Sequence, residues 1–233
     1  MVNVFFLSIN QHDCPHTYLT DLFPSLRIFI MNTEAEGNYQ TTFSVFFSRD
    51  SDSLNEAFNE LKKYGGIRNI EVIGKKDNLM SLIYSFPKTS AFRHINSVGF
   101  RMHPIFVKNG EERWFFVTSK SSLKLESDDI NDSRTSIRVI KKLTTDEFVT
   151  EYSKIFTYLW KIKFFKELDS PGPKLLTEAL NTGYYDWPRK VSLTQLSKAV
   201  NIPRATLTYR LRKLEKTIFN DLVADDMSKS KIG

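Results

Sequence analysis

The sequence predicts an α+β protein: an N-terminal antiparallel α+β sandwich, a long connector helix and a C-terminal unit of three helices. Three observations carry this prediction. Strand-like and helix-like apolar runs interleave over residues 1–143, with tight-turn signals between neighbouring strands. A capped amphipathic helix pattern follows over 144–170. Three shorter helical patterns then fill 171–222, and the polar stretch 223–233 reads as a flexible tail. With 233 residues, 41% of them hydrophobic and 19 Phe, the chain has material for a substantial core and two domains.

In chain order, Val2 to Ile9 reads as a buried strand and TYLTDLF as a short helix. Leu26 to Met31 and Thr42 to Phe47 read as further strands. Leu54, Phe58 and Leu61 share a helix face, and Gly65-Gly66 stops that helix. Ile67 to Ile73 and Leu79 to Phe86 form a hairpin about Lys75–Asn78. Thr89 to Asn96 reads as a helix, and Pro104 to Val107 with Trp114 to Thr118 as a hairpin about Asn109-Gly110. Hairpins mixed with amphipathic helices suit an ACT- or ferredoxin-like sandwich, which binds a small effector or only dimerises. Lys120 to Arg138 is polar and reads as a loop with one short helix.

Chemistry-bearing residues cluster in this region only at His12-Asp13-Cys14-Pro15-His16. His12, Cys14 and His16 form a candidate sensor, because a thiolate is reactive and both side-chain types ligate borderline metals. Pro15 starts a helix, however, and the three point one way only from an extended segment. His12 and His16 stand at H-x₃-H spacing, but no C-x-x-C accompanies them, so a loop with a packed Cys is the plain expectation, with no metal and no cofactor. Phosphate-loop, G-x-S-x-G and H-E-x-x-H motifs are absent, which argues against an enzyme. A single Cys and no run of 18 apolar residues fit a cytoplasmic protein without a membrane span. The first residues, MVNVFFLSINQHD, lack the basic start of a signal peptide.

Thr144-x-x-Glu147 is a capping box, and a helix is expected from Asp146 to Leu168. Tyr152, Ile155, Leu159 and Ile162 follow four-three spacing beside Phe148, Phe156 and Trp160. That seam is either a dimer interface or a face packed on the chain's own N-terminal domain.

Pro173 opens the next helix, with Leu175, Leu176, Ala179 and Leu180 inward and Gly183 at its C-cap. Tyr184, Tyr185 and Trp187 follow in a turn, where packing is the expected role of Tyr184 and Trp187. Ser192 and Gln195 form another capping box, and Leu193, Leu196, Ala199 and Val200 make the buried face of that helix. Asn201 tolerates left-handed angles and suits the turn, Ile202 plugs the corner, and Pro203 starts the last helix. There Leu207, Leu211, Leu214 and Ile218 form an apolar stripe. At ~100° per residue, Ala205, Tyr209, Arg212 and Lys216 face the other way, flanked by Thr206 and Lys213.

Charge gives this unit its meaning. Pro188 to Lys216 holds eight Lys/Arg against one acid, Glu215. From Pro171 onward there are eleven basic and six acidic residues, whereas the first 170 carry 22 and 21. The net charge of +6 therefore sits almost wholly on the C-terminal helices, as binding to double-stranded DNA requires. The candidate DNA-binding residues are Arg189, Lys190, Arg204, Ala205, Thr206, Thr208, Tyr209, Arg212, Lys213 and Lys216. Among them Thr206 and Arg212 suit base edges, while Arg204 and Lys213 suit phosphates.

The run from Leu175 to Leu222 resembles the helix-turn-helix of the archaeal bacterio-opsin activator family. Gly183, Tyr184, Tyr185, Pro188 and Arg189 match its Gly-Tyr-Tyr and Pro-Arg elements, and Leu196, Ile202, Leu207, Leu211 and Leu214 match its apolar positions. The match covers about fifty residues, a fifth of the chain, and Pro203 departs from the family's usual Ser cap. The resemblance implies an archaeal transcription regulator. The expectation is a sequence-specific regulator, acting as a homodimer, whose N-terminal domain senses a small-molecule effector or contacts the transcription machinery. The alternative is an interaction scaffold whose basic domain tethers DNA without sequence preference.

Overall fold

Alternation along the first strand sorts the two faces of a sheet. In β1 (Asn3–Asn10), Phe5, Leu7 and Ile9 enter the main core, whereas Phe6 stacks on Phe115 at 4.9 Å across the other face. The computed structural model describes residues 2–48, 50–123, 135–167 and 172–223, in two units, Met1–Ile155 and Phe156–Gly233.

The first unit continues with α1 (Pro15–Leu22), β2 (Arg27–Glu36), β3 (Tyr39–Phe47), α2 (Ser51–Lys63), β4 (Arg68–Lys76) and β5 (Leu79–Pro87). Then come α3 (Ser90–Ile95), β6 (Phe100–Lys108), β7 (Glu111–Thr118), β8 (Ser136–Leu143) and α4 (Thr145–Glu167), whose later turns belong to the second unit. The strands form one sheet in the order β4-β5-β3-β2-β6-β7-β1-β8, antiparallel throughout. The predicted α+β class holds. Because β3 and β4 both run antiparallel to β5, they are parallel to each other, so β3-α2-β4 is a split β-α-β unit of the ferredoxin-like kind.

Helices α1, α2 and α3 put Leu19, Leu54, Ala57, Leu61, Ala91 and Ile95 into the core beneath the sheet. Asp50 caps α2 by accepting from the Asp52 and Ser53 amides, and Thr89 caps α3 by accepting from that of Phe92. On the opposite face, Phe115 meets Phe148 and Tyr152 of α4 edge-on at 5.7 and 5.2 Å. The Tyr152 hydroxyl donates to the carbonyl of His103. Thr144 and Glu147 make the expected capping box: the Thr144 amide donates to the Glu147 carboxylate at 2.9 Å and the return bond is 3.4 Å. Phe148 and Tyr152 thus pack on their own sheet. Of the rest of the predicted seam, Ile155 is buried, Leu159 half-buried and Phe156 exposed, and the side chains of Trp160 and Ile162 lie outside the described residues.

Two sequence expectations change. Residues 136–143 form β8 on the sheet edge, where Lys120 to Arg138 had read as a loop; the rest of the predicted loop, 124–134, and the tail from 224 lie outside the described residues. β6 begins at Phe100, four residues before Pro104, and its pairing with β7 shifts register between Met102 and Phe106, an irregularity that accommodates a proline. No helix among the described residues is long and apolar enough to cross a membrane.

Phe115 is 1% exposed and touches Phe6, Phe148 and Tyr152. Phe115→Ala is expected to cost about 3–5 kcal/mol in urea denaturation. Val149→Ala, at an exposed position on α4, should change stability by less than about 0.5 kcal/mol.

Candidate nucleic-acid interface

In the second unit, local rules place each element. Helix α5 (Gly172–Asn181) ends in a Schellman motif: the Tyr184 amide donates to the Ala179 carbonyl and the Gly183 amide to that of Leu180, with Gly183 at φ +75°. Ser192 and Gln195 cap α6 (Leu193–Ala199) reciprocally, as expected. Asn201 takes φ +51° in the turn, and the Ser197 hydroxyl donates to the Ile202 carbonyl at 2.6 Å. The last helix, α7 (Arg204–Val223), follows Pro203, whose carbonyl accepts from the Leu207 amide.

The three helices close on Leu175, Ala179, Tyr184, Leu196, Leu207, Leu211 and Leu214. This core fixes which side of α7 meets solvent. Arg204, Ala205, Thr206, Tyr209, Arg212, Lys213 and Lys216 are all exposed, and Thr208 is half-buried with its hydroxyl donating to the Arg204 carbonyl at 2.9 Å. Thr208 therefore has less to offer a base than Thr206. Ala205 and Thr206 leave the first turn of α7 thin, so a groove floor can approach closely.

Arg189 and Lys190 are also exposed. The Arg189 guanidinium lies 4.7 Å from the Tyr184 ring centroid, and Lys190 pairs with Asp186 at 2.7 Å. Glu215, the acid among these cations, accepts from the Tyr185 hydroxyl at 2.9 Å. Burial first, then that bond, pushes the Tyr185 phenol well up, so it stays a donor. Three packing expectations fail: Trp187 is 97% exposed, Leu180 57%, and Ala199 at the end of α6 is exposed as well. The apolar cluster is complete without them, because Tyr184 closes it.

The candidate sensor residues part company. His12 is exposed, whereas Cys14 and His16 are buried, Cys14 as the N-cap of α1 and His16 in its first turn. They meet Glu112 of β7, which sequence reasoning missed. Cys14 Sγ lies 3.3 Å from His16 Nδ1 and donates to Glu112 Oε1 at 2.9 Å. Burial first, then the Glu112 charge, pushes the Cys14 thiol well up, so it is a poor free nucleophile. Burial, with Arg101 adding to it, lowers His16 to about 3 and keeps it neutral. The one available signal for Glu112 was its place two residues before Trp114, on the inward face of an apolar strand.

Two family models match separate stretches of the chain. Residues 173–220 match the family HTH_10, an HTH DNA binding domain of the bacterio-opsin activator type. Residues 4–136 match the family HVO_2525_N, described as N-terminal. No curated protein and no solved structure matches the chain.

A Cβ on Gly183 would meet the Lys190 side chain at 2.8 Å in a left-handed backbone. Gly183→Ala is expected to destabilise the three-helix unit by about 1–2 kcal/mol, read as faster amide hydrogen exchange in α6 and α7. Amides of β5 in the same sample should be unaffected.

Proposed function

We propose, on the premise that this chain belongs to the HVO_2525_N family and carries a C-terminal HTH DNA-binding domain, that it is a sequence-specific regulator of transcription. In this reading α7 enters the major groove of double-stranded DNA, and two copies bind a two-fold site. Thr206 and Arg212 read base edges, with Ala205 and Tyr209 against the groove. Arg204, Lys213, Lys216, Arg189 and Lys190 hold phosphates, and Thr208 stabilises the helix that presents them. The observation that carries the reading is the sidedness of α7: Leu207, Leu211 and Leu214 are buried, and Arg204, Arg212, Lys213 and Lys216 are exposed.

The N-terminal domain acts as sensor or partner-docking domain in an archaeal, cytoplasmic regulator. A ligand there alters DNA binding only through different affinity for two arrangements of the protein.

Footprinting on genomic fragments, including the chain's own promoter, against nonspecific competitor tests this. Arg212→Ala should weaken the protected site roughly 10- to 100-fold and relax preference at one base pair. Lys213→Ala should weaken all sequences alike and reduce the salt slope by about one. Half-site centres about 10 base pairs apart, or a multiple, would mark the dimer. Uniform, salt-sensitive coating without a footprint would replace this reading with nonspecific tethering by an interaction scaffold.

A further inference from the structure

We infer that Cys14, His16 and Glu112 form a buried binding site for one divalent transition-metal ion of the zinc class. Cys14 Sγ, a His16 ring nitrogen and a Glu112 carboxylate oxygen lie within 4.8 Å of one another, on residues 1, 1 and 2% exposed. A thiolate, an imidazole and a carboxylate suit Zn(II) or Co(II); calcium and magnesium prefer oxygen alone.

The spacing is close to what such an ion needs. Bonds of ~2.3 Å to sulfur and ~2.0 Å to nitrogen or oxygen at tetrahedral angles put the donors about 3.5 Å apart. Sulfur and nitrogen already stand 3.3 Å apart, and sulfur and Oε1 at 2.9 Å need to open by about half an ångström.

The groups behind the donors are arranged as in known metal centres, where each ligand is oriented by a partner of its own. His16 Nε2 lies 2.5 Å from the Tyr84 hydroxyl, which leaves Nδ1 as the ligand nitrogen. Trp114 Nε1 donates to Glu112 Oε2 at 2.6 Å, and Gln11 Nε2 donates to Oε1 at 3.2 Å. Gln11 is itself held, its amide oxygen accepting from the Ala91 backbone amide. Gln11 also lines a cleft of about 150 Å³ with His12, Thr17 and Tyr18.

Binding has a definite proton balance. The Cys14 thiol loses its proton to solvent as the metal–sulfur bond forms. The imidazole stays neutral and carries its hydrogen on Nε2, directed at Tyr84. A site left without metal keeps the Cys14-to-Glu112 hydrogen bond and holds together as a polar network alone.

Cobalt titration of the purified full chain distinguishes the two. Cys14 is the chain's single cysteine, so a thiolate-to-cobalt charge-transfer band reports this site alone. The expected result is one equivalent of Co(II) giving that band with tetrahedral ligand-field absorption, displaced by Zn(II). His12→Ala should keep it, Cys14→Ser should abolish it, and His16→Gln or Glu112→Gln should weaken cobalt at least tenfold.

The site is buried, so the titration is repeated with cobalt present during refolding. No band from wild type by either route, with native circular dichroism restored, would overturn the metal site in favour of the polar network. So would a band indifferent to both His16→Gln and Glu112→Gln. The readout uses no DNA and is independent of the outcome of footprinting.

Discussion

An antiparallel sheet with aromatic residues on both faces has to be covered on both, and most of the N-terminal architecture answers that demand. Phe5, Leu7, Tyr84, Trp114 and Phe116 belong to the face under α1, α2 and α3, while Phe6, Phe29, Phe106 and Phe115 line the other. The second face is where α4 gains its anchor. Phe148 and Tyr152 stack on each other at 5.1 Å, and both meet Phe115 edge-on. The helix leading out of the N-terminal domain therefore starts from a fixed point. In its first turns the face bearing Phe148 and Tyr152 is occupied by the sheet.

The same sheet explains how a carboxylate comes to lie beside a thiol and an imidazole. Pairing of β1 with β7 sets Glu112 opposite Ile9, at the end of β1 from which the chain turns into α1. Segment 11–14 is held there by several bonds: Asp13 accepts from the Ser90 amide and hydroxyl, and the Thr17 hydroxyl donates to the Gln11 carbonyl. Arg101 lies over the Phe92 and Trp114 rings at 4.4 and 4.8 Å, and burial lowers it to about 10 even as Glu112 favours its charge. Groups of such cost in an apolar interior need partners: Cys14, His16, Gln11 and Glu112 have them, whereas Asp13 Oδ1 is buried without a hydrogen bond.

What could be read from the chain alone follows the range of the forces involved. Both capping boxes, the left-handed Asn201 and the stripe Leu207–Leu211–Leu214 are settled within four residues of themselves, and all stand as expected. Strand β8 was illegible because Ser136 to Leu143 carries three basic residues and owes its conformation to pairing with β1, more than 120 residues earlier. Trp187 misled because a large aromatic in a turn ordinarily packs; whether it does depends on the space left by Tyr184. Glu112 joins Cys14 across 98 residues, and no local spacing rule reaches that far. The face of α7 was legible; what its residues touch depends on a partner molecule.

The two outer strands of the sheet carry their own protection. β4 ends in Lys75 and Lys76 and is interrupted by two register shifts, and β8 carries Arg138, Lys141 and Lys142 with a shift opposite Phe6 and Leu7. Charged and bulged edges make poor templates for an incoming strand. Crowding many copies together would thus not seed sheet-to-sheet fibres through these two edges.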